Sequence, residues 1–260
     1  GVRLIDSAAC YEGSEELIGE AIGHRREEFT LVTKCGHHEI LPDGSMRSRP
    51  ISMSDVEDAL GRLGTDVIDV MLLHSYDRDL LEAGDAVGVL AAAKQAGKIR
   101  AAGYSGDNQT AVTAMGMEDL TVLETSVSLA DQANIELAVA AARAKGAGVI
   151  AKRPLANAVW RWLGDPQACP SHPREYLRRL SAMATAPASV GFDGDWAELA
   201  LRFPLSVPGV HTAIAGSISA DHWHANIAAA DRGPLPQEVY RAVRSAFDRA
   251  RGNADWPGEN

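Results

Sequence analysis

Four side chains suited to acid–base chemistry follow apolar runs of the sequence. Asp6, Lys34 and His74 each end a predicted strand, and Tyr11 lies in the loop after the first of these strands. Taken singly, each has an ordinary interpretation: a turn or capping carboxylate, a solvated amine, a hydrogen-bonded imidazole and a packed phenol. Because the carboxyl ends of the strands in a βα-repeat protein converge on one rim, we expect the four groups to meet there.

An alternation of predicted strands and helices would position these residues. Nearly continuous apolar runs predict seven strands of the kind that lie parallel and are covered by helices on both faces. A helical spacing of apolar residues predicts the helices between them, with Ser14 capping the first and Ser52 or Ser54 the second. The strands are predicted at 2–5, 28–35, 67–73, 99–104, 120–127, 149–151 and 211–215, and the helices at 14–24, 52–63, 80–96, 109–117, 134–145, 195–205, 220–230 and 238–249.

Three further segments lack this regular pattern. Residues 36–50 are rich in Gly, Pro and Ser and predict a loop. Residues 156–194 predict a long βα loop with some helix, which is either a lid or binding wall, or packing over the mouth or flank of the fold. Residues 251–260 predict a polar tail.

The element pattern predicts the fold class. Strict βα alternation is typical of an α/β fold with a parallel sheet wrapped by helices, and a (β/α)8 TIM-type barrel takes about 250 residues. The chain has 260 residues and begins at Gly1 directly on a predicted strand. Seven strands are one short of a closed eight-stranded barrel. We therefore expect a single barrel domain over 1–260 that lacks the first strand and helix at its N-terminus.

Composition excludes several classes of protein. The formal net charge of −10 disfavours a bulk attraction to nucleic acid or to an anionic membrane surface. No apolar run approaches the ~20 residues of a membrane span. Three widely spaced cysteines, Cys10, Cys35 and Cys169, predict free thiols in a reducing compartment. The expected partner is a small molecule and the expected location is the cytoplasm, and no oligomeric state is predicted.

Several spaced motifs run along the chain in a fixed order. They are Asp-Ser-Ala-x-x-Tyr-x-x-Ser-Glu-x-x-Ile-Gly at 6–19, Thr-Lys-x-Gly at 33–36, Arg-Leu-Gly-Thr-Asp-x-Ile-Asp-x-x-Leu-Leu-His at 62–74, Leu-Arg-Phe-x-Leu-Ser-x-Pro-Gly-Val at 201–210 and Ile-Ala-Gly-Ser at 214–217. Together they resemble the aldo-keto reductase family over about 1–230. The resemblance implies a (β/α)8 barrel, NADPH bound extended across the carboxyl rim, and reduction of a carbonyl or oxidation of an alcohol.

The resemblance places Asp6, Tyr11, Lys34 and His74 in a catalytic tetrad. Hydride addition to a carbonyl builds charge on oxygen, and Tyr11 would deliver the proton as general acid. Its phenol has an ordinary pKa of about 10, which a nearby Lys34 ammonium would lower. Asp6 would hold Lys34 charged and in place, and His74 would donate a hydrogen bond that orients the carbonyl oxygen.

The resemblance also implies residues that hold the nicotinamide end of the cofactor. Ser105 matches a serine that contacts the carboxamide, with Gly106 in place of the usual Asn. Glu124 stands where a Gln is expected, and a carboxylate accepts from the amide NH2 but cannot donate to its oxygen. Lys152 stands where an aromatic residue commonly stacks on the nicotinamide.

Further positions are predicted for the rest of the cofactor. Lys152 and Arg153 would contact the pyrophosphate, unless they simply form a solvated strand end. Backbone N–H groups of Gly216 and Ser217, at a helix start, would bind phosphate. His222 and Asn226, on one helix face, would meet the adenine end. Many members place an Arg on the 2′-phosphate where this chain has Ile218. The predicted cofactor is therefore NADP, with NAD as the alternative, and its binding residues are Ser105, Glu124, Lys152, Arg153, Leu155, Gly216, Ser217, His222 and Asn226.

Other chemistry is less well supported. The run His37-His38-Glu39 lacks a further ligand at zinc-like spacing, so no metal site is predicted. Cys10 and Cys35 flank the rim but lack an evident His/Asp arrangement for nucleophilic catalysis. Two alternatives to a reductase stay open: a nucleotide-binding sensor or regulatory barrel with little turnover, and a barrel enzyme such as an isomerase that uses Lys34 as a Schiff base.

Overall fold

The strands predicted from the apolar runs are present in a computed structural model of the chain, which describes residues 1–40 and 46–259. Their ends shift by a few residues, and two short strands follow the second predicted one. In chain order they are β1 (Leu4–Asp6), β2 (Thr30–Cys35), β3 (His38–Ile40), β4 (Met46–Ser48), β5 (Ile68–His74), β6 (Ile99–Ser105), β7 (Leu120–Ser126), β8 (Gly148–Lys152) and β9 (Thr212–Ala213).

Helices separate the main strands as the sequence predicts. They are α1 (Ser14–Ile22), α2 (Met53–Leu63), α3 (Arg78–Ala83), α4 (Asp85–Gln95), α5 (Asn108–Met115), α6 (Ala140–Lys145), α7 (Arg174–Met183), α8 (Trp196–Leu205), α9 (Ala220–Asp231) and α10 (Gln237–Arg251). A π-helical turn at Ile135–Val139 leads into α6. The predicted helix 80–96 is divided into α3 and α4 by Gly84, whose φ of 85° does not fit a helix. None of the described helices is long and apolar enough to cross a membrane.

The described chain forms two compact units, one of residues 1–125 and 141–148 and one of 126–140 and 149–259. In the first unit, β1, β2, β5, β6 and β7 pair in that order, and every printed pairing is parallel. Helix α2 lies against β2, and its buried positions recur at helical spacing, namely Val56, Ala59 and Leu63. The sheet and its helices therefore share an apolar core.

The strand register explains why polar groups meet at one edge of this sheet. His74 pairs with Ser105, and Ser105 pairs with Glu124, so the three residues lie side by side. Lys34 pairs with Leu72, two residues before His74. Because side chains alternate between faces with a period of two, these four side chains point to the same face of the sheet.

The second unit contains β9 and residues 149–152 of β8, and the two strands pair in parallel through Ile150 with Thr212 and Ala151 with Ala213. Helix α8 begins at Trp196, and its N-cap Asp195 accepts a hydrogen bond of 2.8 Å from the Glu198 N–H. The predicted loop 156–194 contains α7 and several 3-10 turns. Its role as a lid stays a prediction.

The loop predicted over 36–50 is wrong in its described part, because β3 and β4 form an antiparallel hairpin there. Residues 41–45 lie outside the described residues. Contacts with Asp77 hold the hairpin: its carboxylate accepts from the Ser48 N–H at 2.8 Å and lies 3.1 Å from His38 Nε2. Ser48 Oγ in turn accepts from the Asp77 N–H. These partners are distant in sequence, so the local pattern does not predict the hairpin.

Two further predictions are corrected. Gly13, not Ser14, is the N-cap of α1, and Ser14 Oγ instead accepts a hydrogen bond of 2.8 Å from Ser7 Oγ. The predicted polar tail packs against the second unit, where Trp256 is 4% exposed and meets the Phe247 ring edge-to-face at 5.2 Å. The Glu259 N–H also donates to Asp131. The many polar residues around Trp256 conceal this contact in the sequence.

Candidate active site

The centre of the site is a buried ion pair between Lys34 and Asp6. Lys34 Nζ donates to both carboxylate oxygens of Asp6, at 2.6 and 2.5 Å, and to the Ser7 carbonyl at 3.0 Å. The Lys34 side chain is only 1% exposed. An ammonium with three acceptors in a dry site is fully hydrogen-bonded, which fixes its position.

A second carboxylate, Glu124, lies against the same ammonium. Glu124 Oε1 is 3.4 Å from Lys34 Nζ and accepts from Ser105 Oγ at 3.1 Å. Glu124 Oε2 is buried and has no hydrogen-bond partner among the described residues. Asp6 and Glu124 therefore both lie against the buried Lys34 ammonium.

The charge balance of this cluster alters how its members titrate. Burial and the nearby Glu124 raise the pKa of Asp6 to about 8, and Lys34 only partly offsets them. Burial alone would lower the pKa of Lys34, but Glu124 and Asp6 outweigh it and hold that pKa above its ordinary value. Lys34 thus stays charged, and Asp6 keeps its proton to a higher pH than an ordinary aspartate does.

Tyr11 stands over this cluster. Lys34 Nζ lies 5.6 Å from the centre of the Tyr11 ring, and the ring meets that of His74 edge-to-face at 5.9 Å. Tyr11 is 46% exposed, so about half of the residue is open to solvent. The structure therefore brings the four predicted tetrad residues together.

The expected lowering of the Tyr11 pKa is wrong in its net direction. Burial raises the pKa of Tyr11 above its ordinary value, and Lys34 opposes this without overcoming it. Asp6 and Glu124 add to the rise. The physical reason is that desolvation of the phenol outweighs the charge of Lys34, which the two nearby acids also offset.

His74 has neighbours that the sequence did not predict. Cys10 Sγ lies 3.4 Å from His74 Nδ1, and the His37 ring lies 4.6 Å from the His74 ring. Burial raises the pKa of the Cys10 thiol. Cys10 and His74 are far apart in sequence, so local spacing does not indicate their contact. The parallel strand ends bring them together.

Two residues with positive φ, Ser75 and Gly36, lie in the turns next to the site. Ser75 follows His74 with φ of 49°, and its N–H donates to the Ser105 carbonyl at 2.7 Å. Gly36 also has positive φ, and a Cβ there would lie 2.8 Å from the Tyr76 ring. Only glycine fits this close approach at the turn before the hairpin.

The pattern that defines the Aldo/keto reductase family matches residues 1–248 of this chain. The chain belongs to the aldo-keto reductase family. It is therefore an oxidoreductase of the α/β TIM-type fold, and the predictions of fold class, family and enzyme type are confirmed. The family implies NAD(P)H-dependent oxidation and reduction of carbonyl compounds.

Individual proteins resemble the chain, two of them over most of its length. It is 27% identical to the uncharacterized oxidoreductase YqkF of Bacillus subtilis, over 94% of this chain and 83% of that protein. The holo structure of aldo-keto reductase AKR11C1 from Bacillus halodurans is similar with a TM-score of 0.75 and 25% identity, over 95% of this chain and 83% of that one. A shorter match, 32% identical over 40% of this chain and 39% of the relative, joins it to the 6-dehydroglucose reductase of Agrobacterium fabrum.

In this aldo-keto reductase, one group of predicted cofactor residues surrounds the start of α9 in the second unit. Ser217 Oγ accepts from the Ser219 N–H at 3.1 Å and lies 3.4 Å from His222 Nδ1. Ser219 is the N-cap of α9, so Gly216 and Ser217 precede the helix by several residues rather than beginning it. Asn226 lies one turn beyond His222 on α9. Ile218 is fully exposed.

The other predicted cofactor residues of the second unit follow β8. Arg153 has φ of 55°, and its Nη1 donates to the Glu259 carbonyl at 2.6 Å and to Tyr176 Oη at 3.5 Å. Lys152 and Leu155 are half-buried on either side of it. The guanidinium thus contacts the C-terminal segment, and the predicted phosphate contact of Arg153 stays a prediction.

Proposed function

We propose that this aldo-keto reductase reduces an aldehyde or ketone to an alcohol, or runs the reverse reaction, with NADPH as hydride donor and Tyr11 as general acid. The observation that supports this most is the proximity of the Tyr11 ring to both Lys34 and His74. Their separations of 5.6 and 5.9 Å leave the phenol beside both an ammonium and an imidazole. A carbonyl oxygen there would have a proton donor and a second polar neighbour.

Tyr11 is suited to give up a proton at the moment the carbonyl oxygen gains charge. Burial and the nearby acids raise the pKa of Tyr11, so the phenol is protonated at neutral pH. Lys34 stabilises the phenolate that remains after proton transfer, since a positive charge favours the ionised form. His74 orients the carbonyl oxygen by donating a hydrogen bond.

Asp6 acts through Lys34. Its two oxygens hold the ammonium at 2.6 and 2.5 Å and fix it beneath Tyr11. A rotating lysine would present its charge to the phenol only part of the time, so the pair preorganises the electrostatic field. We therefore assign Asp6 a positioning role.

Ser105 and Glu124 fit the carboxamide of a nicotinamide. Glu124 Oε2 is buried without a partner among the described residues, and an amide NH2 would supply the donor it lacks. Ser105 Oγ lies beside it, hydrogen-bonded to the other oxygen of the same carboxylate. A bound nicotinamide cofactor supplies the hydride.

In the second unit we propose that Lys152, Arg153, Leu155, Gly216, Ser217, His222 and Asn226 contact the rest of the cofactor. The segment before α9 is exposed at Gly216, and its backbone N–H groups are suited to phosphate. We propose NADP over NAD. Exposed Ile218 offers no charge to the 2′-phosphate that distinguishes NADPH from NADH, so NADH is the comparison.

A binding and turnover experiment tests this function. The purified chain is titrated with NADPH and with NADH, and cofactor oxidation is then followed on a panel of aldehydes, ketones and sugar aldehydes that includes 6-dehydroglucose. We expect tighter binding of NADPH and turnover with at least one carbonyl. Binding of either cofactor without turnover on the panel would overturn the proposal and favour a regulatory barrel.

A further inference from the structure

Cys10, His37 and His74 bring three metal-ligating atoms together. One donor atom from each residue lies within 4.8 Å of the other two. They come from the loop after β1, the turn after β2 and the end of β5, so their spacing in the sequence does not indicate a metal site. We infer that these residues form a zinc-binding site, and that zinc bound there takes His74 away from the carbonyl substrate.

The distances suit a tetrahedral ion. Zinc–sulfur and zinc–nitrogen bonds of about 2.3 and 2.0–2.1 Å place the two donors about 3.6 Å apart. Cys10 Sγ and His74 Nδ1 are 3.4 Å apart. The His37 and His74 rings have centres 4.6 Å apart, and one nitrogen of each lies within 4.8 Å of the other donors.

The donor set selects the class of metal. A thiolate and two imidazoles are soft or borderline ligands that favour zinc over magnesium or calcium, which prefer oxygen. Three protein ligands leave a fourth position for water, as in zinc sites that are open to solvent. Cys10 is exposed, so an ion can reach the cluster.

The hairpin of β3 and β4 holds His37 in place for this role. His38 lies 3.1 Å from Asp77, and Asp77 exchanges two hydrogen bonds with Ser48, which ties the hairpin to the loop after β5. That loop begins directly after His74. The segments that carry His37 and His74 are thus joined independently of any metal, so the ligands are preorganised.

Binding has a defined chemical balance. The Cys10 thiol gives its proton to the buffer and its sulfur bonds to the ion, while each imidazole binds through a neutral nitrogen. The 3.4 Å contact of Cys10 with His74 also fits a thiol–imidazole hydrogen bond. The experiment therefore has to detect the sulfur–metal bond itself.

Cobalt(II) is the probe for this bond, because cobalt–thiolate charge transfer absorbs in the near ultraviolet where zinc is silent. We expect one Co²⁺ per chain, a thiolate band and displacement by Zn²⁺. The band should vanish in Cys10→Ser, and affinity should fall about tenfold or more in His37→Gln, since even weaker perturbations of a site cost this much. Matched controls are Cys35→Ser, a buried thiol on β2, and His24→Gln, an exposed imidazole.

Either of two results would overturn the site: no thiolate band with the wild-type chain, or a band that persists in Cys10→Ser. Circular dichroism shows whether each variant is folded, and Cys10 is exposed enough to accept serine. The cobalt spectrum needs no turnover, so it tests the metal site independently of the proposed reductase activity.

The inhibitory consequence rests on the proposed function and has its own readout. Carbonyl reduction by the wild-type chain should fall with added Zn²⁺ and recover with a chelator. The ratio of rates with and without zinc should approach one in Cys10→Ser, and the wild-type ratio should persist in Cys35→Ser. Cobalt binding without zinc inhibition would overturn the inhibitory part.

Discussion

Glu124 Oε1 lies 3.4 Å from Lys34 Nζ, so the ammonium beneath Tyr11 faces a second acid besides Asp6. A glutamine, the residue that the family resemblance leads one to expect here, would carry no charge. The carboxylate changes the electrostatics of the cluster: it helps raise the pKa of Asp6 to about 8 and adds to the rise at Tyr11. Glu124 therefore links its proposed contact with the nicotinamide carboxamide to the acid–base groups.

The Asp6–Glu124 coupling predicts a pH dependence of stability. Asp6 titrates near its ordinary value when unfolded and at about 8 when folded. Between those values the folded state binds the extra proton, so this group's contribution to the free energy of unfolding falls as pH rises from about 4 to 8. Glu124→Gln should lower the folded pKa of Asp6 and make that fall smaller.

Urea unfolding at pH 5 and pH 8 measures the effect. The wild-type chain is compared with Glu124→Gln and with Glu20→Gln, which removes an exposed acid of α1. We expect the difference between the two pH values to shrink in Glu124→Gln alone. An identical pH dependence in all three chains would show that Glu124 does not govern the proton on Asp6.

Tyr11→Phe should lower kcat by about 10²–10⁴-fold, because the variant keeps the ring and loses the proton donor. The Kd for NADPH should stay within about twofold, since the phenol is proposed to contact substrate rather than cofactor. Stopped-flow reduction and fluorescence titration measure the two effects. Tyr240→Phe, a half-buried tyrosine stacked on Phe203, is the control and should keep wild-type kcat. Wild-type turnover by Tyr11→Phe would remove Tyr11 from the mechanism.

The parts of this protein that depend on local pattern could be predicted from sequence. Apolar runs locate the main strands because parallel strands under helices are buried on both faces. Since such strands end at one rim, the meeting of Lys34, His74 and Tyr11 follows from chain order. The capping box at Ser52 is likewise local, and the structure has it.

The remainder depends on contacts between distant segments. The approach of Glu124 to Lys34 requires the strand register, which no single segment specifies. The short hairpin strands are held by Asp77, about 30 residues further along the chain. Burial of Trp256 requires the ring of Phe247 and two arginines, so its neighbours in sequence do not reveal it.

Trp256→Ala should reduce the free energy of unfolding by about 3–5 kcal/mol, the usual cost of removing a buried large aromatic side chain. The indole is 4% exposed, lies 5.2 Å from the Phe247 ring, and has the guanidinium groups of Arg178 and Arg179 over its ring. Urea unfolding provides the measurement. Trp162→Ala, at a half-buried indole, is the control and should cost less. A Trp256→Ala loss well below this range, or no greater than the Trp162→Ala loss, would contradict the predicted packing role of the C-terminal segment.

Gly103→Ala should destabilise the first unit by about 1–3 kcal/mol, the range found for overpacked cores. Gly103 lies at an irregularity in the pairing of β6 with β7. A Cβ added there would overlap the Val122 carbonyl oxygen and lie 2.6 Å from Leu72 Cδ2. Gly148→Ala on β8 is the matched control, because its Cβ would meet Val122 Cγ2 at an ordinary 3.9 Å. That variant should retain wild-type stability or gain slightly, since alanine restricts the unfolded chain. Thermal and urea unfolding of the two variants measure the difference, and a Gly103→Ala chain as stable as Gly148→Ala would show that β6 and β7 can separate to admit a methyl group.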